Sequence, residues 1–237
     1  MKKPAAIIFD LDDTLIVSDG DIESTWLEVC SDYVNGKLHV SVEQICQAIR
    51  DVGIWFWETP ERHRKGRNDL ENTRRLIVRM AFEKIGLSNL QEADVIADNY
   101  SRRKMEKTAL FPKSIDVLNT VKSRGIKTGL LTNGEKHLQR AKIEKFNLER
   151  FFDVIQIEGE MGFGKPEEKA YLTILKSLGT TPSNTWIVGD NFDWEVKIPK
   201  IMGLSAIWHN CYHKTIPDTT ILPDHTIHRI EDLIPLL

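Results

Sequence analysis

Five short, largely apolar runs punctuate the chain: Ala5 to Phe9, Ile126 to Leu131, Val154 to Ile157, Thr185 to Val188 and Leu204 to Trp208. Continuous rather than alternating hydrophobicity is the mark of parallel strands covered on both faces, so each run reads as a buried strand. Helical spacing of apolar residues lies between the last four. One such segment is Ser114 to Arg124, stopped by Gly125; the others are Glu135 to Phe146 and Glu167 to Leu178, the latter stopped by Gly179. Strand alternating with helix predicts an α/β chain with a doubly wound, Rossmann-like parallel sheet.

The stretch between the first two strands breaks this rhythm, because a βαβ unit needs only roughly 30 residues and far more chain than that separates Phe9 from Ile126. Four helical segments can be read within it: Asp21 to Val34, Val42 to Trp57, Leu70 to Ile85 and Asn89 to Glu106. Ser41 with Gln44, and Ser88 with Gln91, have the spacing of a capping box, in which the serine caps an amide three residues on and the glutamine reaches back. The expected organisation is a core of residues 1–17 and 107–237 with residues 18–106 inserted as a four-helix-bundle cap. The charged run Glu61 to Arg67 reads as a loop of that insertion.

The 237 residues suffice for one α/β domain of ordinary size plus an insertion, and 41% hydrophobic, 28% charged and 8% aromatic residues describe a folded, water-soluble chain. A formal net charge of -3 offers no long-range attraction to nucleic acid or to an anionic membrane, and neither is expected as a partner. Cys30, Cys46 and Cys211 are an odd number without CxxC spacing, which suits a reducing cytoplasm better than a disulfide framework. Asp10, Asp12 and Asp13 cut the first apolar run too early for a signal sequence or a membrane span. A monomer or a homodimer is expected.

Ligands of doubly wound sheets bind beyond the carboxyl ends of the strands, so the residues that follow each strand are the candidate site. These are Asp10-Leu11-Asp12-Asp13-Thr14 after the first strand, Thr132-Asn133-Gly134 after the second, Gly164-Lys165-Pro166 beyond the third and Gly189-Asp190-Asn191-Phe192-Asp193 after the fourth. Crowded carboxylates cannot all stay ionised without a counter-charge, and a hard divalent cation such as Mg²⁺, bound by one or two carboxylates plus substrate phosphate, answers that need. An aspartate can also attack phosphorus and split one hard displacement into two easier ones. A hydroxyl, an amide near a helix start and an ammonium are suitable donors to the charge that develops on phosphoryl oxygens.

Asp10-x-Asp12-x-Thr14, Thr132, Lys165 and Gly189-Asp190 with Glu195, in this order and each after an expected strand, resemble the motifs of the haloacid dehalogenase-like superfamily. The position of the insertion resembles the phosphoglycolate phosphatase-like branch. The resemblance implies a magnesium-dependent phosphatase of small phosphorylated metabolites, with Asp10 as nucleophile and Asp12 as general acid and base. It implies Asp10, Asp190 and the backbone carbonyl of Asp12 as metal ligands. Thr132, Asn133 and Lys165 would bind the phosphoryl group, and Lys165 would also hold Asp10 in line. The last motif of the family most often carries Asp where this chain has Glu195; Glu195 is favoured as partner of Lys165 or of the metal's waters, with Asp193 as the alternative. Pro199 should kink or shorten the helix that carries them.

Three other activities share this scaffold. A haloacid dehalogenase needs no acid at the position of Asp12, because halide leaves without a proton. A phosphomutase would use both aspartates, and a non-catalytic binding domain would need neither. Asp12, Asp13, Thr132 and Asn133 can each also serve as turn or helix caps. His209, Cys211 and His213 lack a fourth ligand for zinc and read as surface residues. Trp55, Phe56 and Trp57 are either bundle core or pocket wall; in the second case Trp55, Trp57 and the basic residues Arg62, Arg64, Lys65 and Arg67 would select the substrate.

Overall fold

A computed structural model describes residues 3–18, 22–34, 40–217 and 220–237. The chain forms two compact units, Met1–Ser18 with Ala109–Leu237, and Asp19–Thr108. In chain order the elements are β1 (Ala6–Phe9), β2 (Ile16–Val17), α1 (Ile22–Val34), α2 (Val42–Trp57), α3 (Pro60–Arg67), α4 (Leu70–Lys84) and α5 (Leu90–Lys107). Then follow β3 (Ala109–Leu110), α6 (Ser114–Ser123), β4 (Lys127–Thr132), α7 (Lys136–Lys145), β5 (Val154–Ile157), α8 (Glu158–Met161) and α9 (Glu168–Leu178). The last are β6 (Thr185–Gly189), α10 (Ile198–Ile201), β7 (Ser205–His209) and β8 (His225–Ile227).

The first unit is a six-stranded sheet in the order β5-β4-β1-β6-β7-β8. All of its pairings are parallel. Successive side chains of a strand face opposite ways, and β1 uses both faces. Ala6 and Ile8 pack among Tyr171, Ile174 and Leu178 of α9. Ile7 and Phe9 pack among Val117, Leu118 and Val121 of α6 on the other side. All four β1 residues are fully buried, which is why the run carries no polar residue. Beside the sheet, β2 and β3 pair antiparallel, Ile16 opposite Leu110 and Val17 opposite Ala109. These two-residue strands and the polar strand β8 have no counterpart in the apolar pattern of the sequence. Pro199 falls within the first turn of α10, where its missing N–H costs nothing. The segment before it, Phe192–Lys197, is a π-helical turn, so the expected interruption is a change of helix type.

The second unit is helical. Val29 and Cys30 of α1, Ile45, Ile49, Val52 and Phe56 of α2, Ile77, Val78, Ala81 and Phe82 of α4, and Ala93, Ile96, Ala97 and Tyr100 of α5 share one apolar cluster. The Trp26 ring stacks on Tyr100 with centroids 3.7 Å apart. Asp21, at the start of the helix expected from Asp21 to Val34, lies outside the described residues. Ser41 and Gln44 form the expected capping box. At α5 the cap is Asn89, whose side chain accepts from the Glu92 amide, in place of the expected Ser88. Glu61 to Arg67 is not a loop: with Pro60 it forms α3, capped by Thr59. The helix has almost no apolar face of its own, and it is held by aromatic rings lying on Gly66. A Cβ at Gly66 would come within 2.6 Å of the Phe56 ring and 2.8 Å of the Trp57 ring.

In an open helix Gly→Ala stabilises by about 1 kcal/mol. At Gly66 the sign should reverse, because the methyl displaces two packed rings, and overpacking costs about 1–3 kcal/mol. A Gly66→Ala variant is expected to unfold at lower urea concentration than the wild type when followed by tryptophan fluorescence.

Candidate active site

The registers of β1 with β4 and β6 bring three strand ends level: Phe9 lies opposite Leu130 and Val188. The Asp10 amide extends the ladder by donating to the Val188 carbonyl at 2.9 Å. Asp10, Thr132 and Gly189 therefore stand at one edge of the sheet. Lys165 reaches the same edge from the loop between α8 and α9. Its ammonium, with the side chain 1% exposed, sits 2.6 Å from Asp10 Oδ1 and 2.6 Å from Glu195 Oε1. Thr14 Oγ1 lies 3.5 Å from Asp10 Oδ2.

Between the two acids offered by the last motif, geometry discriminates. Glu195 is fully buried on Lys165 and accepts from the Asn191 amide at 2.9 Å. Asp193 is 68% exposed and faces Lys197 at 3.6 Å. Gly189 is what lets Glu195 in, since a Cβ there would stand 2.1 Å from Glu195 Cγ. Asn133 does not cap the following helix, whose N-cap Glu135 makes no side-chain cap bond. Instead its amide brackets Lys165, donating to the Lys165 carbonyl at 2.6 Å and accepting from the Lys165 amide at 2.8 Å. Thr132 is not a cap either; its hydroxyl accepts from Gln139 Nε2 at 2.6 Å.

Asp12 faces α7. Its carboxylate takes Lys142 Nζ at 2.7 and 2.9 Å and Gln139 Nε2 at 2.8 Å. Asp13 shapes the turn. At φ 55° its carbonyl accepts from His209 Nδ1 at 3.0 Å, and its carboxylate accepts from Tyr212 OH at 2.8 Å and from the Ser18 amide at 2.9 Å. His209 is thus fully buried rather than a surface residue. Among the described residues no three His, Cys, Asp or Glu side chains gather as a metal cluster, which covers His209, Cys211 and His213 as well.

The electrostatics follow from burial. Burial raises Asp10 above the usual carboxylate range, Lys165 works against it, and the neighbouring Asp12 adds to the rise. Burial lifts Asp190 to about 7, assisted by the charge of Asp10 and opposed by Lys214, whose Nζ is 3.2 Å from Asp190 Oδ2. Burial also lifts Glu195 to about 8 against the pull of Lys165. Asp12 goes the other way: burial would raise it, but the charge and hydrogen bond of Lys142 and the amide of Gln139 hold it low. One ammonium faces Asp10 and Glu195, and burial lifts both of them and Asp190, so a further positive charge would be needed to keep all three ionised together. A small hard dication held by carboxylates and completed by water and phosphate would supply it.

Sequence reasoning missed Gln139, Lys142, Lys214, Tyr212 and the bracketing role of Asn133. Gln139 and Lys142 lie three residues apart on one face of the helix after Thr132-Asn133-Gly134, and that spacing was the available signal; the burial of Gln139, 2% exposed, emerges only from the structure. Of the substrate-selecting candidates, all within the helical unit, Trp55 is 47% exposed. Arg62 lies over its ring at 4.3 Å and donates to the Trp55 and Phe56 carbonyls at 2.5 and 3.1 Å. Trp57 packs edge-on against Phe56 and His63. Arg67 meets His63 Nδ1 at 3.1 Å, and Arg64 and Lys65 occupy the last turn of α3.

Fold and site together define a doubly wound, Rossmann-like α/β protein with its polar residues gathered past the first, fourth and sixth strands. The chain belongs to the haloacid dehalogenase-like hydrolases, whose family profile matches residues 4–200. The phosphoserine phosphatase of Thermus thermophilus is 31% identical over 57% of this chain, and the match spans 53% of that enzyme, so about half its length. The glyceraldehyde 3-phosphate phosphatase of Methanocaldococcus jannaschii is 24% identical over 98% of this chain and 96% of its own. The fold matches the magnesium-bound HAD-hydrolase YfnB of Bacillus subtilis with a TM-score of 0.75 at 21% identity, covering 100% of this chain and 99% of that one.

The raised value of Asp190 has a thermodynamic consequence. An acid that rises from 3.8 to about 7 on folding binds a proton more tightly in the folded state, so it destabilises the metal-free protein increasingly as pH climbs through that window. Asp190→Asn removes the effect. In EDTA its thermal midpoint should exceed that of the wild type more at pH 8 than at pH 5, by roughly 4 °C, in scanning calorimetry.

Proposed function

We propose that this chain is a Mg²⁺-dependent phosphomonoesterase of small phosphorylated metabolites that works through a phosphorylated Asp10. The observation that carries the reading is the buried Asp10–Lys165 pair at 2.6 Å, with the carboxylate of Asp12 two residues along. Lys165 favours the ionised form of Asp10 against its burial and fixes one of its oxygens, leaving the other to form the bond to phosphorus. As the ester P–O bond breaks, Asp12, having first taken a proton from solvent against the pull of Lys142 and Gln139, gives that proton to the departing alkoxide. In the second half it takes a proton from the water that attacks the phosphoryl-aspartate, which releases phosphate and restores Asp10. The Thr132 hydroxyl, the backbone N–H of Asn133 and the Lys165 ammonium are the donors assigned to the phosphoryl oxygens. Asp10, Asp190 and the Asp12 carbonyl would hold Mg²⁺, which when bound supplies Lewis-acid neutralisation of phosphoryl charge. Glu195 holds Lys165 rather than touching substrate.

Asp12 favours this reading over a dehalogenase, for which an acid beside the nucleophile has no use. Choice among phosphate esters is assigned to the helical unit, with Trp55, Trp57, Arg64, Lys65 and Arg67 as candidates. Among the described residues no helix is long and apolar enough to cross a membrane. The phosphatases to which the chain is similar supply a first panel: phosphoserine and glyceraldehyde 3-phosphate, with p-nitrophenyl phosphate as a generic ester.

Phosphate release from at least one of these is expected with Mg²⁺ and should stop in EDTA; silence with all of them in Mg²⁺ would overturn the proposal. Asp10→Asn, nearly isosteric but not nucleophilic, should lose turnover by at least about 10³-fold while keeping the wild-type circular dichroism. Wild-type rates in that variant would remove Asp10 from the mechanism. If Trp57→Ala leaves the ratio of kcat/KM between the best metabolite and p-nitrophenyl phosphate unchanged, Trp57 does not select substrate.

A further inference from the structure

We infer that Gln139 and Lys142 are a positioning pair that fixes the proton-transfer carboxylate of Asp12 relative to the phosphate-binding hydroxyl of Thr132; this rests on the phosphatase reading above. The two residues stand three apart on α7 and direct only donors at the site. Lys142 Nζ spans both oxygens of Asp12 at 2.7 and 2.9 Å. The two N–H groups of the Gln139 amide are shared among three acceptors, Asp12 Oδ2 at 2.8 Å, Thr132 Oγ1 at 2.6 Å and the Asn133 carbonyl at 2.9 Å from the nitrogen. Asp12 and Thr132 are therefore held no farther apart than two hydrogen bonds through one atom allow.

The alternative is that the pair only anchors α7. Against it stands the choice of residues. Gln139 is 2% exposed and the Lys142 side chain 15%, and an amide and an ammonium are costly groups to bury where a leucine or a methionine would fill the same space. Their polar atoms converge on the two side chains to which the mechanism gives the leaving oxygen and the phosphoryl group. Two donors making three hydrogen bonds to one carboxylate restrict its rotation about the Cβ–Cγ bond, so the oxygen that exchanges a proton keeps one bearing. Displacement of a reacting group by about 1 Å costs up to about 10²-fold in rate. The loss should appear where proton transfer matters most, with leaving groups that depart poorly as anions.

The test uses the full chain with Mg²⁺ and two esters, ethyl phosphate with its alkoxide leaving group and p-nitrophenyl phosphate with a stable phenolate. Lys142→Met and Gln139→Leu are expected to lower kcat for ethyl phosphate by roughly 10- to 100-fold and for p-nitrophenyl phosphate by about 3-fold or less. Gln139→Leu should in addition raise KM for both esters, because Thr132 loses its donor. Lys142→Arg should recover part of the ethyl phosphate rate. In an Asp12→Asn background the ratio between esters should no longer respond to Lys142→Met. Equal losses for both esters, or an undiminished response in the Asp12→Asn background, would reduce the pair to a helix anchor and overturn the inference. Gln139→Leu, read alone and in the Asp12→Asn background, carries the test should Lys142→Met fail to fold. Wild-type inertness toward both esters and toward phosphoserine and glyceraldehyde 3-phosphate would refute the phosphatase reading itself, an outcome distinct from turnover with an unshifted ratio.

Discussion

The arrangement past the strand ends depends on one buried ammonium. Lys165 is withdrawn from water between Asp10 and Glu195, and an unpaired charge in that position would cost several kcal/mol. Two carboxylates must therefore be delivered to it from different strands, and each delivery constrains the fold. The β1 register sets Asp10. The side chain of Glu195 fits only because Gly189 has none, and the Asn133 amide grips the backbone of Lys165 from both sides. The glycine of the last motif is thereby explained by packing: it admits the carboxylate that neutralises the lysine, while the carboxylate of the aspartate beside it meets Lys214.

The parts of this structure that were legible in the sequence are those whose cause is local. Parallel strands buried on both faces must be apolar throughout, so β1, β4, β5, β6 and β7 could be read within a residue or so of their ends. The helix α3 could not, since Pro60 to Arg67 carries no apolar stripe and is held by the rings of Phe56 and Trp57 lying on Gly66. Nor could β2, β3 or β8, which are two or three residues long and take their hydrogen bonds from distant segments. The displaced cap at α5 has a smaller cause: Asn89 makes the bond that Ser88 was expected to make, one residue earlier.

The same division runs through the candidate site. Residues at strand ends could be nominated because the topology alone sends them to one edge. Their bonding could not. Thr132 and Asn133 looked like caps for α7, yet both are directed sideways, to Gln139 and to the Lys165 backbone. His209 looked like a surface residue and is instead a buried donor to the Asp13 carbonyl, part of what keeps the turn after β1 in its left-handed conformation. Hydrogen-bond partners are chosen by three-dimensional proximity, and spacing along a chain carries little trace of them.

The short ribbon of β2 and β3 has a consequence for how such a chain can change. Ile16 and Val17 leave the sheet unit hydrogen-bonded to Leu110 and Ala109, the residues by which the chain returns. Because departure and return are already side by side, whatever lies between them closes its own loop without straining the sheet, and the closure entropy grows only slowly with the length enclosed. The helical unit is in this sense a cassette clipped into a fixed socket. Descendants of one sheet can trade it, lengthen it or lose it without disturbing the residues at the strand ends.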